Sequence, residues 1–280
     1  MKPGIIFKSI VLLSAIGNPA ISSVKAAPAG SATVSSGLPV PDLVNLVTLA
    51  VAPGHLHSTT PKDDGRFPWK TQIVTTIFWV GESPSANNPV PNRSSSWDKE
   101  WARNYGGFDD PNPTHRNDYI PVKFTPHQNP FYCALPYNDK ASTGHRSEAA
   151  QIVPWFKEAY QGPAVSVCKD RWVAIRKGNR TVYAQWEDAG PFRTDHWQYV
   201  FGNERPKPNL NRGAGLDVSP AVRDYLELQE TDVTDWKFVD FKEVPRGPWA
   251  KYGDNNTFVI GQRKTQEQVV TVSRPEARAR

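Results

Sequence analysis

Two short segments in the second half of the chain place an aspartate among apolar and turn-forming residues. Residues 186–192 read WEDAGPF around Asp188, and residues 215–221 read GLDVSPA around Asp217. A carboxyl group that donates a proton near neutral pH needs a raised pKa, which partial burial and apolar neighbours supply. The Trp, Pro and Phe of the first segment could supply it to Asp188. Structural roles stay open as well: Asp188 could stabilise a turn, and Asp217 could bond backbone amides before a helix.

Signatures of cofactor chemistry do not occur in the sequence. It contains no phosphate-binding loop, dinucleotide-binding glycine fingerprint, helical zinc-binding pair or nucleophile elbow. We therefore predict no cofactor and no metal site, and the candidate chemistry rests on carboxylates.

The elements next to the two motifs can be predicted from local signals. Residues 172–176 and 181–187 are rich in β-branched and aromatic residues and predict two strands, joined by a tight turn at residues 177–180 (KGNR). Ser219 followed by Pro220 predicts a capped helix that runs to Leu228. The first motif therefore ends a hairpin, and the second leads into a helix.

In this order the motifs resemble the double-psi β-barrel domains of the rare lipoprotein A family, which carry D-x-G-P-F at a strand end and then I-D-L-S-x-A before a helix. Expansins and family 45 glycoside hydrolases share that barrel. The resemblance covers roughly residues 130–243 and implies a six-stranded barrel with a sugar-binding groove. It also implies that Asp188 is a catalytic acid/base. Lytic cleavage can use one such group, because a sugar hydroxyl attacks internally, whereas inverting hydrolysis needs a second carboxylate roughly 6.5–9.5 Å away. Asp217 is the candidate for that second carboxylate.

The sequence departs from the family pattern at two places that add candidate residues. Tyr132 stands where the family has a histidine before a Leu-Pro pair, and Asp139 follows closely as a third candidate catalytic acid; both could instead be loop residues. A long insertion, residues 193–214, separates the motifs and is either functional or a structural flap. The side chains predicted to bind substrate are Tyr132, Trp186, Phe192, His196, Trp197 and Arg212.

The remaining pattern predicts a mainly β fold, a six-stranded double-psi barrel with a few short helices and long loops. The other predicted elements are strands at 71–79, 131–135, 235–241 and 256–260, a helix capped by Ser96 that runs to Tyr105, and a helix at 145–160 that is kinked or broken at Pro154.

The N-terminus predicts export. Residues 1–26 combine Lys2 and Lys8, a short apolar run and small residues before Ala27, as in a secretory signal peptide, although an amphipathic or buried first segment is the alternative. The run is too short to span a bilayer, so no integral membrane segment is expected after signal removal. Beyond it we predict a flexible arm at 27–66, the barrel domain at 67–263 and a disordered tail at 264–280.

The charge of the chain argues against nucleic acid as a partner. The formal net charge is +5, and three lysines with no acid lie within residues 1–26, so the mature chain carries only about +2. So small a net positive charge does not favour binding to nucleic acid.

The chain has two cysteines, Cys133 and Cys168. In an exported protein an even pair predicts one disulfide, worth roughly 3–4 kcal/mol for a loop of this size. Two buried free thiols are the alternative.

Together these features predict a secreted or periplasmic protein that acts on a cell-wall polysaccharide such as peptidoglycan. The leading hypothesis is a glycan-cleaving enzyme, a lytic transglycosylase or a glycosidase. The alternatives are a non-catalytic, expansin-like glycan-binding protein and a structural envelope protein.

Overall fold

The structure is a computed structural model that describes residues 65–86 and 88–273, with side chains described as far as residue 268. The predicted signal peptide at 1–26, almost all of the predicted arm at 27–66 and residues 274–280 lie outside the described residues. None of the helices in the described ranges is long and apolar enough to cross a membrane.

Six strands close into a barrel, and the prediction of a mainly β, six-stranded barrel with a few short helices is confirmed. The order around the barrel is β1, β10, β7, β8, β4, β9, with parallel pairs β1–β9 and β4–β8 among antiparallel ones, so the barrel is mixed. The strands of the described chain are β1 Lys70–Ile77, β2 Arg116–Asn117, β3 Ile120–Pro121, β4 Tyr132–Leu135, β5 Lys140–Ala141, β6 Gly144–His145, β7 Arg171–Lys177, β8 Arg180–Ala189, β9 Leu216–Val218 and β10 Thr231–Phe238.

The helices are mostly single turns in the connections between strands. They are α1 Trp101–Tyr105, α2 Ala149–Ile152, α3 Phe156–Ala159, α4 Trp197–Val200, α5 Pro220–Leu226 and α6 Thr257–Ser273, with 3₁₀ turns at Pro113–His115, Phe241–Glu243 and Pro248–Ala250. The predicted hairpin of β7 and β8 is confirmed, and so is α5, whose cap Ser219 accepts the backbone N–H of Val222.

Two apolar clusters lie on opposite faces of strand β4, because successive side chains of a strand point to opposite sides. Cys133 and Leu135 face the barrel interior, which is filled by aliphatic and aromatic side chains such as Trp186. Tyr132 and Ala134 face outward into a smaller cluster with Phe78, Val80, Trp101 and Tyr105. The segment after β1 thus packs on the outside of the barrel and covers part of β4.

One predicted helix is broken and one predicted strand is wrong. The helix predicted at 145–160 is broken at Pro154, one of the two outcomes expected there, and forms only the turns α2 and α3, because proline lacks the N–H that would continue the first of them. The strand predicted at 256–260 is the start of α6, where the side-chain oxygen of Asn256 accepts the N–H of Phe258. A short apolar run does not by itself distinguish strand from helix. Helix α6 runs past the predicted domain boundary at 263.

The helix predicted from Ser96 begins later than expected. Helix α1 starts at Trp101, and no side chain caps its first turn. Gly106 ends it in the left-handed conformation, which glycine adopts without steric cost. Ser96 has a different role, described with the site.

The predicted disulfide is wrong, because Cys133 and Cys168 are both free and buried. Cys133 is fixed in β4 opposite Trp186 of β8 and Val218 of β9. Cys168 lies before β7, where its N–H donates to the Ser166 hydroxyl. An even count indicates a bond only where the fold brings two Cβ atoms to about 3.8 Å, which composition does not reveal. Burial raises the pKa of both thiols well above the ordinary value.

Candidate functional site

The two motifs meet on the outer face of the barrel, in one row of paired residues. Ala134 of β4 lies opposite Asp188 of β8 on one side and opposite Asp217 of β9 on the other, and Asp217 lies opposite Thr76 of β1. Paired residues point to the same face of a sheet. The small Ala134 side chain therefore forms a floor between two aspartates. Neighbouring strands are about 4.8 Å apart, so the two aspartate Cα atoms are about 9.5 Å apart.

A bulge in β8 brings Asp188 to this face. The register shifts between Cys133 and Ala134, so that Cys133 pairs with Trp186 whereas Ala134 pairs with Asp188, and Glu187 is the extra residue. In a regular strand, Asp188 would follow the inward-facing Trp186 into the interior. A bulge re-aims side chains in this way and is common beside active sites.

Asp188 is a half-buried carboxylate held by two main-chain donors. Its Oδ1 accepts the N–H of Ser96 and the N–H of Ala189, each at 2.7 Å. Burial raises the pKa of Asp188 to about 6, although both N–H groups lower it by stabilising the charged form. The Asp188 carboxyl group is therefore mostly ionised at neutral pH, and a small fall in pH would protonate it.

The ionised form of Asp217 is stabilised by fewer hydrogen bonds than that of Asp188. Its Oδ1 accepts the hydroxyl of Thr76. Burial raises the pKa of Asp217 to about 7, and the negative charges of Glu82 and Asp188 raise it further. Near neutral pH a substantial fraction of Asp217 thus carries a proton. The two carboxylates thus differ in their hydrogen-bond donors, and burial raises the pKa of both.

The backbone of the first motif also lies close to the aspartate side chain of the second. A Cβ atom added to Gly190 would lie 3.9 Å from Oδ2 of Asp217 and 4.0 Å from the Ala134 methyl. The turn after Asp188 therefore reaches the second aspartate.

Glu82 is a third acid at this site, and the sequence analysis missed it. Its Oε2 accepts the side-chain amides of Asn88 at 2.9 Å and Asn92 at 2.8 Å, and burial raises its pKa. The available signal was weak, namely a glutamate just after a buried strand and before a loop rich in Asn, Pro and Ser.

These residues line a cleft of about 440 Å³, which we call the acid cleft. Its three acids are Glu82, Asp188 and Asp217, and no basic side chain of the described residues lines it. The loop at 88–96 forms one wall. The rim is partly apolar, since Val90 and Phe192 are both substantially exposed. Phe192 is the predicted substrate-binding residue that lies in this cleft.

Asp139 does not lie at the acid cleft. It is fully buried and accepts hydrogen bonds from the Ser166 hydroxyl and from the N–H of Val167 at 3.0 Å, and it contacts His145 Nδ1 at 2.8 Å. These contacts tie together the connection between β4 and β7. Asp139 is therefore enclosed by this connection and does not line the acid cleft.

Tyr132 and Trp186 are likewise buried structural residues. The Tyr132 hydroxyl donates to Asp109 at 3.0 Å and accepts the N–H of Val80, and its pKa is raised well above the ordinary value by burial. The Trp186 ring lies in the barrel interior, and its Nε1 donates to the main-chain oxygen of Asp188 at 2.7 Å. Trp186 therefore contacts the main chain of Asp188 from the barrel interior and does not line the cleft.

The predicted binding residues in the insertion at 193–214 also lie outside the cleft lining. His196 is buried and contacts Glu204 at 3.0 Å. Trp197 begins helix α4 and packs partly against the interior cluster. Arg212 is exposed next to Asn211, which does line the cleft. The insertion packs against the barrel through buried residues such as Tyr199 and Val200, and its Thr194 and Asn211 line the acid cleft.

Among the described side chains, no group of three or more His, Cys, Asp or Glu is arranged to hold a metal ion. No model of a known protein family matches the chain, and a search of curated proteins found no sequence with significant similarity to it.

Proposed function

We propose that this protein is an exported enzyme that cleaves the glycan of a cell-wall polysaccharide, with Asp188 and Asp217 as its acid/base pair on a double-psi barrel. The observation that carries the proposal is the row in which Ala134 separates the two aspartates within one cleft. The mixed barrel and the order of the two motifs are consistent with the double-psi arrangement. Export rests on the signal-like residues 1–26.

The hydrogen bonds and pKa shifts support a different proposed role for each aspartate. Asp217, with a pKa raised to about 7, holds the proton that is given to the glycosidic oxygen. Asp188, whose charge is stabilised by two N–H donors, is the base. This assignment refines the sequence hypothesis, in which Asp188 alone was the acid/base.

We infer that a nucleophile lies between the two carboxyl groups, because one strand, with the small Ala134 side chain, separates the two aspartates. Asp188 could activate a water molecule there. It could equally accept the proton of a sugar hydroxyl that attacks internally, which is the lytic reaction. Phe192, exposed at the rim, offers an apolar face for a sugar ring.

Purified protein should release soluble fragments from peptidoglycan sacculi. Reducing ends indicate hydrolysis, and anhydro-muropeptides indicate lytic cleavage. Asp188→Asn and Asp217→Asn should each lower the rate by at least about a hundredfold, as expected for loss of general acid–base catalysis. Asp254→Asn is the matched control, because Asp254 is exposed and pairs only with Arg263 in the described structure.

The outcome separates the alternatives. If the wild type binds sacculi but releases no product, the non-catalytic glycan-binding alternative is favoured. If product forms equally with both aspartate variants, the acid cleft is not the active site.

A further inference from the structure

A second cleft lies beside the acid cleft and has the opposite charge. It measures about 570 Å³ and is lined by Lys99, Lys140 and Lys169, with Asp170 as its one acidic side chain among the described residues. We call it the lysine cleft. The two clefts share Ser96, which lines both.

The wall between the clefts is fixed in place. The N–H of Ser96 donates to Asp188, and the indole Nε1 of Trp97 donates to Asn138 at 2.8 Å. The Trp97 ring also packs edge-to-face on Trp186, with centroids 5.5 Å apart. The lysine cleft therefore has a set position relative to Asp188.

The lysine charges are only partly offset by neighbouring acids. Lys140 Nζ donates to the main-chain oxygen of Pro163, a neutral group. Lys169 Nζ is 3.7 Å from Glu187 and 3.9 Å from Asp170. Burial raises the pKa of Glu187 well above its ordinary value and so favours its neutral form. Three lysines thus line the cleft beside one lining acid, Asp170, and Asp98 also acts on the charge of Lys169.

We propose that the lysine cleft is a binding subsite for the carboxylate groups of an anionic wall glycan whose chain continues past Ser96 into the acid cleft. This inference rests on the proposed function and names its substrate class. The acid cleft, with three acids, takes the uncharged stretch around the scissile bond, and the lysine cleft takes a negative substituent further along. The charge pattern sets both the direction and the register of the chain.

Binding to insoluble sacculi tests the subsite without depending on cleavage. The probes are native sacculi and sacculi whose carboxyl groups have been amidated, each incubated with the full chain over a range of NaCl concentrations. Wild type should bind native sacculi more tightly, and salt should weaken that preference because it screens exposed charges. Lys99→Gln combined with Lys140→Gln should weaken binding to native sacculi about three- to tenfold, as loss of two exposed ion pairs predicts.

The matched control is Lys242→Gln with Lys264→Gln, two exposed lysines outside both clefts. Lys169 is left intact because it pairs with the buried Glu187. Circular dichroism of each variant reports whether it is folded. The comparison of native with amidated sacculi uses the wild-type protein alone, so it does not depend on the folding of any variant.

The proposal is overturned if wild type binds native and amidated sacculi equally, binds neither, or binds native sacculi as well after the two cleft lysines are replaced. Lysine-dependent binding without any product would contradict the proposed function and leave the subsite standing. Cleavage that requires Asp188 and Asp217 but is unchanged when the cleft lysines are replaced would contradict the subsite and leave the proposed function standing.

Discussion

Replacing Asp217 by Asn should stabilise the folded protein at neutral pH, although it removes a proposed catalytic group. The pKa of Asp217 is raised from an ordinary 3.8 to about 7, mainly by burial. Between these two values the unfolded chain has already lost the proton that the folded state still holds. The free energy of unfolding of the wild type therefore falls as pH rises from about 4 to about 7, and stays low above that range.

The magnitude follows from the two pKa values. Each tenfold change in a proton equilibrium is worth about 1.4 kcal/mol, so the ionised Asp217 destabilises the fold by up to about 4 kcal/mol above pH 7. Asparagine keeps the Oδ1 that accepts the Thr76 hydroxyl and removes the charge. The stability difference between Asp217→Asn and wild type should be near zero at pH 4 and approach this limit at pH 8.

Urea unfolding followed by tryptophan fluorescence, repeated from pH 4 to pH 8, measures this difference. Asp254→Asn serves as the control, because an exposed ion pair contributes at most about 1 kcal/mol. A gain for Asp217→Asn that does not change with pH would refute the reasoning, because it would have to come from packing. A loss of stability at pH 8 would mean that the ionised aspartate is well stabilised by its surroundings.

Three further predictions concern the acids of the site. With pKa values raised to about 6 for Asp188 and about 7 for Asp217, kcat/KM should follow a bell-shaped curve with its maximum near pH 6.5 and slopes that approach tenfold per pH unit below about pH 5 and above about pH 8; a profile flat from pH 5 to 8 would contradict the pair. Glu82→Gln removes a negative charge beside Asp217 and should lower its pKa, visible as a shifted carboxyl ¹³C titration by NMR; an unchanged titration would show that Glu82 has no influence on it. Asp139→Asn should lower the free energy of unfolding by about 1–3 kcal/mol and leave the kcat/KM of the folded protein unchanged, because Asp139 supports buried donors such as the Val167 N–H; lost activity at full stability would give it a chemical role instead.

The parts of the fold set by local signals could be predicted from the sequence. The turn at 177–180 and the Ser219-Pro220 start of α5 each depend on a few neighbouring residues, and both formed as predicted. The strand predicted at 256–260 failed because its apolar residues are too few to show a period.

The composition of the site depended on contacts between distant strands. Asp139 and Asp217 were both candidate catalytic acids, but only Asp217 lies opposite Ala134. The outward position of Asp188 depends on one extra residue in β8, and nothing in residues 186–192 reveals that bulge. Glu82 joins the site because β1 pairs with β9 and the following loop folds back, which is a property of the closed barrel.

The clamp on Asp188 has a consequence for how this site could change over generations. Its two close hydrogen bonds come from main-chain N–H groups, at Ser96 and Ala189, and the Ser96 side chain adds a contact that lowers its pKa. A main-chain donor is the same for every amino acid except proline, which has none. The loop at 88–96 could therefore exchange most of its side chains and still hold the carboxylate, provided that its length and path were kept. Proteins descended from this one could then keep the same arrangement around Asp188 after the amino-acid sequence of that loop had diverged.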